Sequence, residues 1–222
     1  MFDRDRHRVY RAAQLTHLEW LEHGFGTKLS QDWPAIERLV QIKQIHSAYI
    51  VLAEGHTGVI GEGDAVITNR PGLLLGIRTA DCLPILIADP KHRAIAAVHA
   101  GWRGTVQEIG PAALGALEQH FESRPEDVIV AIGPGIGVCC YEVGSEVASQ
   151  FSKYFPERAD WDGAANIDLA ETNVRQFVKV GVPRAQISQS GICTCCDVEM
   201  HSYRREGERA GRMISAIGIL AR

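Results

Sequence analysis

Leu73-Leu74-Leu75-Gly76-Ile77-Arg78-Thr79-Ala80-Asp81-Cys82-Leu83-Pro84-Ile85-Leu86-Ile87-Ala88-Asp89-Pro90 is the stretch whose reading decides the fold. Its two apolar runs, 73–77 and 85–88, are short and continuous, which is the pattern of strands covered on both faces. Asp89-Pro90-Lys91-His92 makes a tight connection to a third run at 94–98. Upstream, 49–53 and 64–68 are further strand candidates, and Asn69-Arg70-Pro71-Gly72 reads as a turn. This order predicts a meander with reactive residues in its connections, not the parallel sheet that βαβ units build.

After the last of these runs comes His99-Ala100-Gly101-Trp102-Arg103-Gly104. A helix is expected from near Thr105, because Val106, Ile109, Ala113, Leu117 and Phe121 recur three or four apart. Pro111 interrupts that pattern as either a kink or a second helix start. A strand at 128–132 ends in Gly133-Pro134-Gly135-Ile136-Gly137, which has neither the Lys-Ser/Thr of a P-loop nor dinucleotide spacing, so it reads as a tight turn presenting Cys139, Cys140 and Tyr141. Helices are expected at about 144–151 and at 169–180, the second capped by Asp168 and ended by Gly181 and Pro183. Late strand candidates lie at 187–190 and 213–220. The mixture is αβ, with sheet dominating the first half. No repeat or linker divides residues 1–222, so a single catalytic domain is expected.

Composition narrows the function. The net charge is −4 with no basic run, which makes a nucleic-acid partner unexpected. No apolar segment is long enough for a membrane span. The N-terminus alternates charges without the apolar core of a signal peptide, so a cytoplasmic location is expected. The cysteines are Cys82, Cys139, Cys140, Cys193, Cys195 and Cys196. In such a chain they read as reduced and buried thiols. Cys193-Thr194-Cys195-Cys196 is read as lacking the paired knuckles of a structural zinc.

Three residues at separate strand ends, His46, Cys82 and His99, make a candidate His₂Cys set. Each alone is ambiguous, but zinc on three protein ligands keeps a fourth position for water or substrate, as catalytic sites do. Arg78 and Arg103 are candidates to hold an anion beside it, since guanidinium offers paired donors. For Arg103 the alternative is a salt bridge beneath Trp102. Asp81 is the carboxylate available for proton transfer, or else the residue that orients a backbone amide.

Gln44-x-His46-Ser47, Gly63-Asp64-Ala65, Thr79-Ala80-Asp81-Cys82-Leu83-Pro84, His99-Ala100-Gly101-Trp102-Arg103-Gly104 and Gly133-Pro134-x-Ile136-Gly137-x-x-Cys140-Tyr141-Glu142-Val143 resemble the YfiH family, also called the laccase-domain or multicopper polyphenol oxidase family. So do Cys193-Thr194 and Ser202-Tyr203-Arg204-Arg205 with Gly211-Arg212, and the match runs in order from His23-Gly24-Phe25-Gly26-Thr27 nearly to the C-terminus. The resemblance implies an α+β fold, a four-layer α/β/β/α sandwich with mixed sheets. It implies zinc, more than copper, on His46, Cys82 and His99. It also implies phosphorolysis of purine nucleosides (adenosine, inosine and methylthioadenosine) with inorganic phosphate, and deamination of adenosine as a side activity. Copper-dependent phenol oxidation and amidase-like editing of peptidoglycan precursors are the alternatives attached to the family. Laccase chemistry needs several coppers on many histidines, and nine scattered histidines without H-x-H pairs fit it poorly. Arg78, Arg103, Tyr203 and Arg204 are the expected substrate contacts; which of Arg204 and Arg205 faces the site is open. The chain departs from the family in a shorter segment before Gln44, in Lys28 where an Arg is usual, and in His201 where an aromatic often stands.

Overall fold

The computed structural model describes residues 1–221. Its strands form two mixed sheets and one short ribbon. The first sheet has the order β1 (Phe2–Arg4), β2 (Tyr10–Ala12), β3 (Leu21–Phe25), β15 (Met213–Ile219), β8 (Leu74–Thr79), β4 (Leu39–Lys43), β6 (Gly58–Glu62). The second has the order β14 (Ile187–Gln189), β11 (Ile129–Ile132), β9 (Leu83–Asp89), β10 (Ala94–Ala100), β7 (Ala65–Thr68), β5 (Ile50–Leu52). The ribbon pairs β12 (Glu142–Val143) with β13 (Ala165–Asn166). Helices are α1 (Ala13–Thr16), α2 (Trp102–Val106), α3 (Ile109–Phe121), α4 (Ser145–Ala148), α5 (Leu169–Lys179) and α6 (Tyr203–Glu206).

Side chains on a strand alternate between faces, and β9 uses both. Leu86 and Ala88 join Ile95 and Ala97 of β10 in an apolar layer against Leu75, Ile77 and Ile217 of the first sheet. Ile85 and Ile87 turn the other way, with Ala96 and Val98, beneath Ala113 and Leu117 of α3 and Val174 and Phe177 of α5. The fold is therefore α+β with helices over one sheet and the two sheets face to face. The layer outside the first sheet is thin: Trp33 and Ala35 pack on Leu39, Leu74 and Ala216.

The expected meander forms only at its last step, the antiparallel pair of β9 and β10. β7 and β10 pair directly, while β8 lies in the other sheet against β15. Doubly covered strands carry no mark of which sheet they join, so their order in sequence misleads. The chain must cross between sheets from β8 to β9, and it does so through Ala80-Asp81-Cys82. The short strands β1, β2, β3 and β6 have no period that sequence analysis could read, and pairing with neighbours rather than pattern defines them.

Several local readings agree with the structure. Pro111 is the third residue of α3, where a missing N–H has no carbonyl to lose, so it marks a second helix start. Asp168 caps α5 by accepting from the Glu171 N–H at 2.8 Å. The expected helix after Gly144 is only one turn, α4, continued as a 3₁₀ segment, Ser149–Tyr154. The expectation of buried thiols fails: Cys139 and Cys196 are exposed and the other cysteines half-buried, all six being free. No helix among the described residues is long and apolar enough to cross a membrane.

His23 of β3 is buried and its Nε2 accepts the Ala12 N–H at 2.9 Å, tying β2 to β3. Burial, helped by the Arg11 charge, lowers its pKa from 6.5 to about 4. An unfolded chain therefore takes up a proton near its ordinary value while the folded one resists until about 4. The stabilising contribution is complete above the upper value and is lost as the pH falls through the window. At about 1.4 kcal/mol per unit its ceiling is about 3 kcal/mol. Denaturant unfolding at pH 7 and pH 4 should show His23→Gln with a smaller pH-dependent loss of stability than the parent; an identical loss refutes this.

Candidate metal centre

Asp64, just ahead of β7, is fully buried. Its Oδ1 accepts the His46 N–H at 3.0 Å and meets His99 Nδ1 at 2.8 Å. Its Oδ2 accepts the N–H and the hydroxyl of Ser47 at 2.5 and 2.7 Å. His46 has a φ of +59°, a left-handed conformation costly for a residue with a Cβ. The carboxylate compensates by collecting the amides that this turn points inward. With Nδ1 of His99 held by Asp64, its Nε2 is the nitrogen left to face Cys82.

One ligand atom each from His46, Cys82 and His99 lies within 4.8 Å of the others. The two rings are 4.9 Å apart at 77°. His46 follows β4 of the first sheet, His99 is the penultimate residue of β10 in the second, and Cys82 ends the crossover between them. Gly101 completes the cradle, since a Cβ there would stand 2.9 Å from Cys82 Sγ and 3.3 Å from His46 Cδ2.

Electrostatics prepare the same three atoms. Burial raises the Cys82 thiol, but hydrogen bonds from His46 and His99 outweigh it and bring the pKa to about 6. Burial lowers His99, while Asp64 and Cys82 lift it to about 9. Burial opposes ionisation of Asp64 too, yet His99 and Ser47 hold it at about 2. A thiolate among imidazoles, anchored by a carboxylate, is a donor set that fits zinc or another borderline-soft cation, with a coordination position to spare.

The set opens into a cleft of about 990 Å³. Trp102, Ile136 and Tyr141 give it apolar walls, and Arg78, Arg204 and Arg212 bring positive charge. Arg78, next to last in β8, is exposed, its backbone clamped at N–H and C=O by the Gln44 amide, both at 2.8 Å. Tyr203 also lines the cleft. Arg205 turns away to the carbonyls of Thr194 and Cys195, each at 2.8 Å, so Arg204 is the one that faces the site. Arg103 is absent from the lining and stacks 4.4 Å from the Trp102 ring centroid, a cation–π contact where a salt bridge was the expected alternative.

Asp81 lines the cleft, at a φ of +84°. Its Oδ1 accepts the Thr194 hydroxyl at 2.7 Å and its Oδ2 the Arg204 N–H at 2.6 Å. Its carbonyl accepts the Ile136 N–H at 2.7 Å. Each carboxylate oxygen is thus engaged in joining three walls of the cleft. Sequence reasoning assigned no role to Asp64, Gln44, Arg212 or Thr194. All four stood within quoted motifs, but nothing in a sequence separates a side chain that organises from one that reacts. Of the departures, Lys28 pairs with Glu206 at 2.5 Å, and His201 fills the space where a Cβ on Gly211 would clash.

Residues 27–220 match the family model described as multi-copper polyphenol oxidoreductase laccase. A protein of Bacteroides thetaiotaomicron named purine nucleoside phosphorylase is 45% identical over 163 residues, covering 70% of this chain and 60% of its own length. The chain therefore spans less than two thirds of that relative. A protein of an unidentified prokaryote named adenosine deaminase RL5 is 33% identical over 198 residues, covering 82% of this chain and 75% of its own. The crystal structure of YlmD from Geobacillus stearothermophilus superposes with a TM-score of 0.89 at 27% identity, over 99% of each chain.

Asp64→Asn keeps the shape but weakens the acceptor for His99 and the 46–47 turn, so zinc affinity should fall roughly 10- to 100-fold. Gly101→Ala should do at least as much by displacing the sulfur. Zinc titration of the full chain against a competing chelator checks both, and unchanged affinity in either refutes the corresponding role.

Proposed function

The chain belongs to the multi-copper polyphenol oxidoreductase laccase family, and from that premise we propose that it is a zinc-dependent purine nucleoside phosphorylase with a secondary adenosine deaminase activity. The observation that carries the reading is the pairing of a His₂Cys set with arginines across one cleft large enough for a nucleoside and a phosphate. The relatives named phosphorylase and deaminase support it. Phenol oxidation by several coppers is not favoured: among the described residues the groups able to hold a metal are this one and a cluster of cysteines, and neither has more than two histidines.

Phosphorolysis breaks the bond from the anomeric carbon to the purine nitrogen and forms one to a phosphate oxygen. Positive charge gathers on the sugar and negative charge on the departing base, which must gain a proton. Zinc held by His46, Cys82 and His99 would supply a Lewis acid that stabilises developing negative charge and makes water a better acid, which serves deamination as well. The arginines do the rest of the electrostatic work. Arg78, whose side chain is free of the Gln44 clamp on its backbone, receives phosphate with Arg212. Arg204 is partly committed to the carbonyls of Cys140 and Glu142, at 3.3 and 3.0 Å, and shapes the opposite wall.

Trp102 and Tyr141 offer flat apolar surface to the base. Burial, reinforced by the Cys82 charge, pushes the Tyr141 phenol up to about 12, so it stays protonated and keeps its O–H available to a ligand at neutral pH. Asp81 acts as a positioning residue for Arg204 and Thr194. In this arrangement its charge helps fix the walls rather than carrying the proton.

Inosine and adenosine should release their bases only with inorganic phosphate present, and Cys82→Ala should abolish release. Arg78→Ala should raise KM for phosphate by roughly tenfold or more, the loss of a charge-assisted contact. Arg103→Ala should leave that KM unchanged. Base release without phosphate overturns phosphorolysis; an effect at Arg103 but none at Arg78 overturns the assignment of the phosphate side.

A further inference from the structure

Cys139, Cys140, Cys193 and Cys196 each place a sulfur within 4.8 Å of the others, away from the His46, Cys82 and His99 set. Two loops supply them in pairs. The first follows β11, the second follows β14, and these strands are parallel neighbours. Beyond the strands the loops stay paired: Ser190 N–H donates to the Ile132 carbonyl at 2.9 Å, and Thr194 N–H to the Gly135 carbonyl at 3.0 Å. Gly135 and Cys193 form an isolated bridge. Spacing that looked wrong for a knuckle within one loop is completed across two, because Cys193-x-x-Cys196 is itself a two-residue-spaced pair and Cys139-Cys140 closes it.

The sulfur distances discriminate between fates for these thiols. Cys140 and Cys196 are 3.4 Å apart, and Cys139 and Cys196 are 3.7 Å apart. A disulfide requires about 2.0 Å. Four sulfurs at about 2.3 Å from a tetrahedral zinc stand about 3.8 Å from one another. The observed separations are near the second figure and far from the first. Gly137 N–H also donates to Cys193 Sγ at 3.2 Å, a contact that favours the thiolate. A Cβ on Gly137 would lie 3.1 Å from Cys193 Cβ and 3.3 Å from Cys139 Sγ, so any larger residue would press the two loops apart by a few tenths of an ångström. Cys139 and Cys196 are exposed, which leaves a cation a path in.

We propose that Cys139, Cys140, Cys193 and Cys196 form a second metal site, an all-thiolate structural site for zinc. Four soft ligands select a thiophilic ion and leave no position for substrate. Its consequence is mechanical. One loop carries Ile136 and Tyr141 into the cleft, and the other carries Thr194, whose hydroxyl holds Asp81. Arg205 ties the second loop to α6 through the carbonyls of Thr194, Cys195 and Asp197, and Arg204 reaches the first through Cys140 and Glu142. A cation joining the loops fixes the wall that these residues build. The proposal does not depend on which reaction the cleft performs.

The test is zinc stoichiometry of the reduced, demetallated full chain, titrated against a chromophoric chelator. The wild type should bind two equivalents, and Cys139→Ser with Cys196→Ser should bind one. The pair His46→Ala with Cys82→Ala should also retain one, with X-ray absorption showing sulfur alone around the zinc at about 2.3 Å. This second variant leaves the cysteine cluster intact, so misfolding of the serine variant does not decide the outcome. One equivalent in the wild type, no zinc in the His46/Cys82 variant, nitrogen in its zinc shell, or a disulfide between the two loops in the freshly isolated protein under non-reducing mass analysis would overturn the site.

Discussion

The buried Asp64 carboxylate is the constraint on which the site depends. A charge without water must be met by donors on every side, and Asp64 has the amides of His46 and Ser47, the Ser47 hydroxyl and the His99 ring. Those donors come from a loop after the first sheet and a strand of the second. Satisfying one carboxylate therefore fixes two imidazoles relative to each other. The left-handed turn at His46, unfavourable by itself, persists because the same carboxylate rewards it.

A second constraint is the passage of the chain between sheets. β8 and β9 each bury both faces, so their connection has to run at the edge of the inter-sheet layer. Asp81 and Cys82 occupy that connection, and the thiol emerges where loops from both sheets converge. Pro84 and Gly133 hold the next layer, with the Gly133 N–H bonded to the Pro84 carbonyl at 2.8 Å. No Cβ fits at Gly133, where Phe25 of the first sheet approaches to 2.1 Å of that position. Close contact between sheets thus continues right up to the floor of the cleft.

Charge around the cleft is divided between groups that organise and groups left available. Asp81, Arg205 and Gln44 spend their hydrogen bonds on the backbone or side chains of neighbouring walls. Arg78 and Arg212 line the cleft with exposed side chains, one nitrogen of Arg212 being shared with the carbonyls of Ala210 and Gly211 at 2.8 and 2.9 Å. Arg103, adjacent in sequence to a cleft residue, does not line the cleft and lays its guanidinium on the Trp102 ring.

The sequence by itself determined the local pieces. Continuous apolar runs marked β8, β9 and β10, and the Asp168 cap and Gly181 bounded α5, because each of these signals acts over a few residues, while Pro111 marked a break without deciding between a kink and a second helix. The residue types at His46, Cys82 and His99 suggested a metal by their ligand chemistry. Only the tertiary structure decided which sheet β8 joins, that Asp64 links the two histidines, that Arg204 and not Arg205 meets the cleft, and that thiols from two loops gather at one point. Each of these is a contact between segments far apart in the chain. Strand patterns record burial but not partners, and motifs record residue type but not direction, so the convergence of side chains becomes visible only when the two sheets are packed.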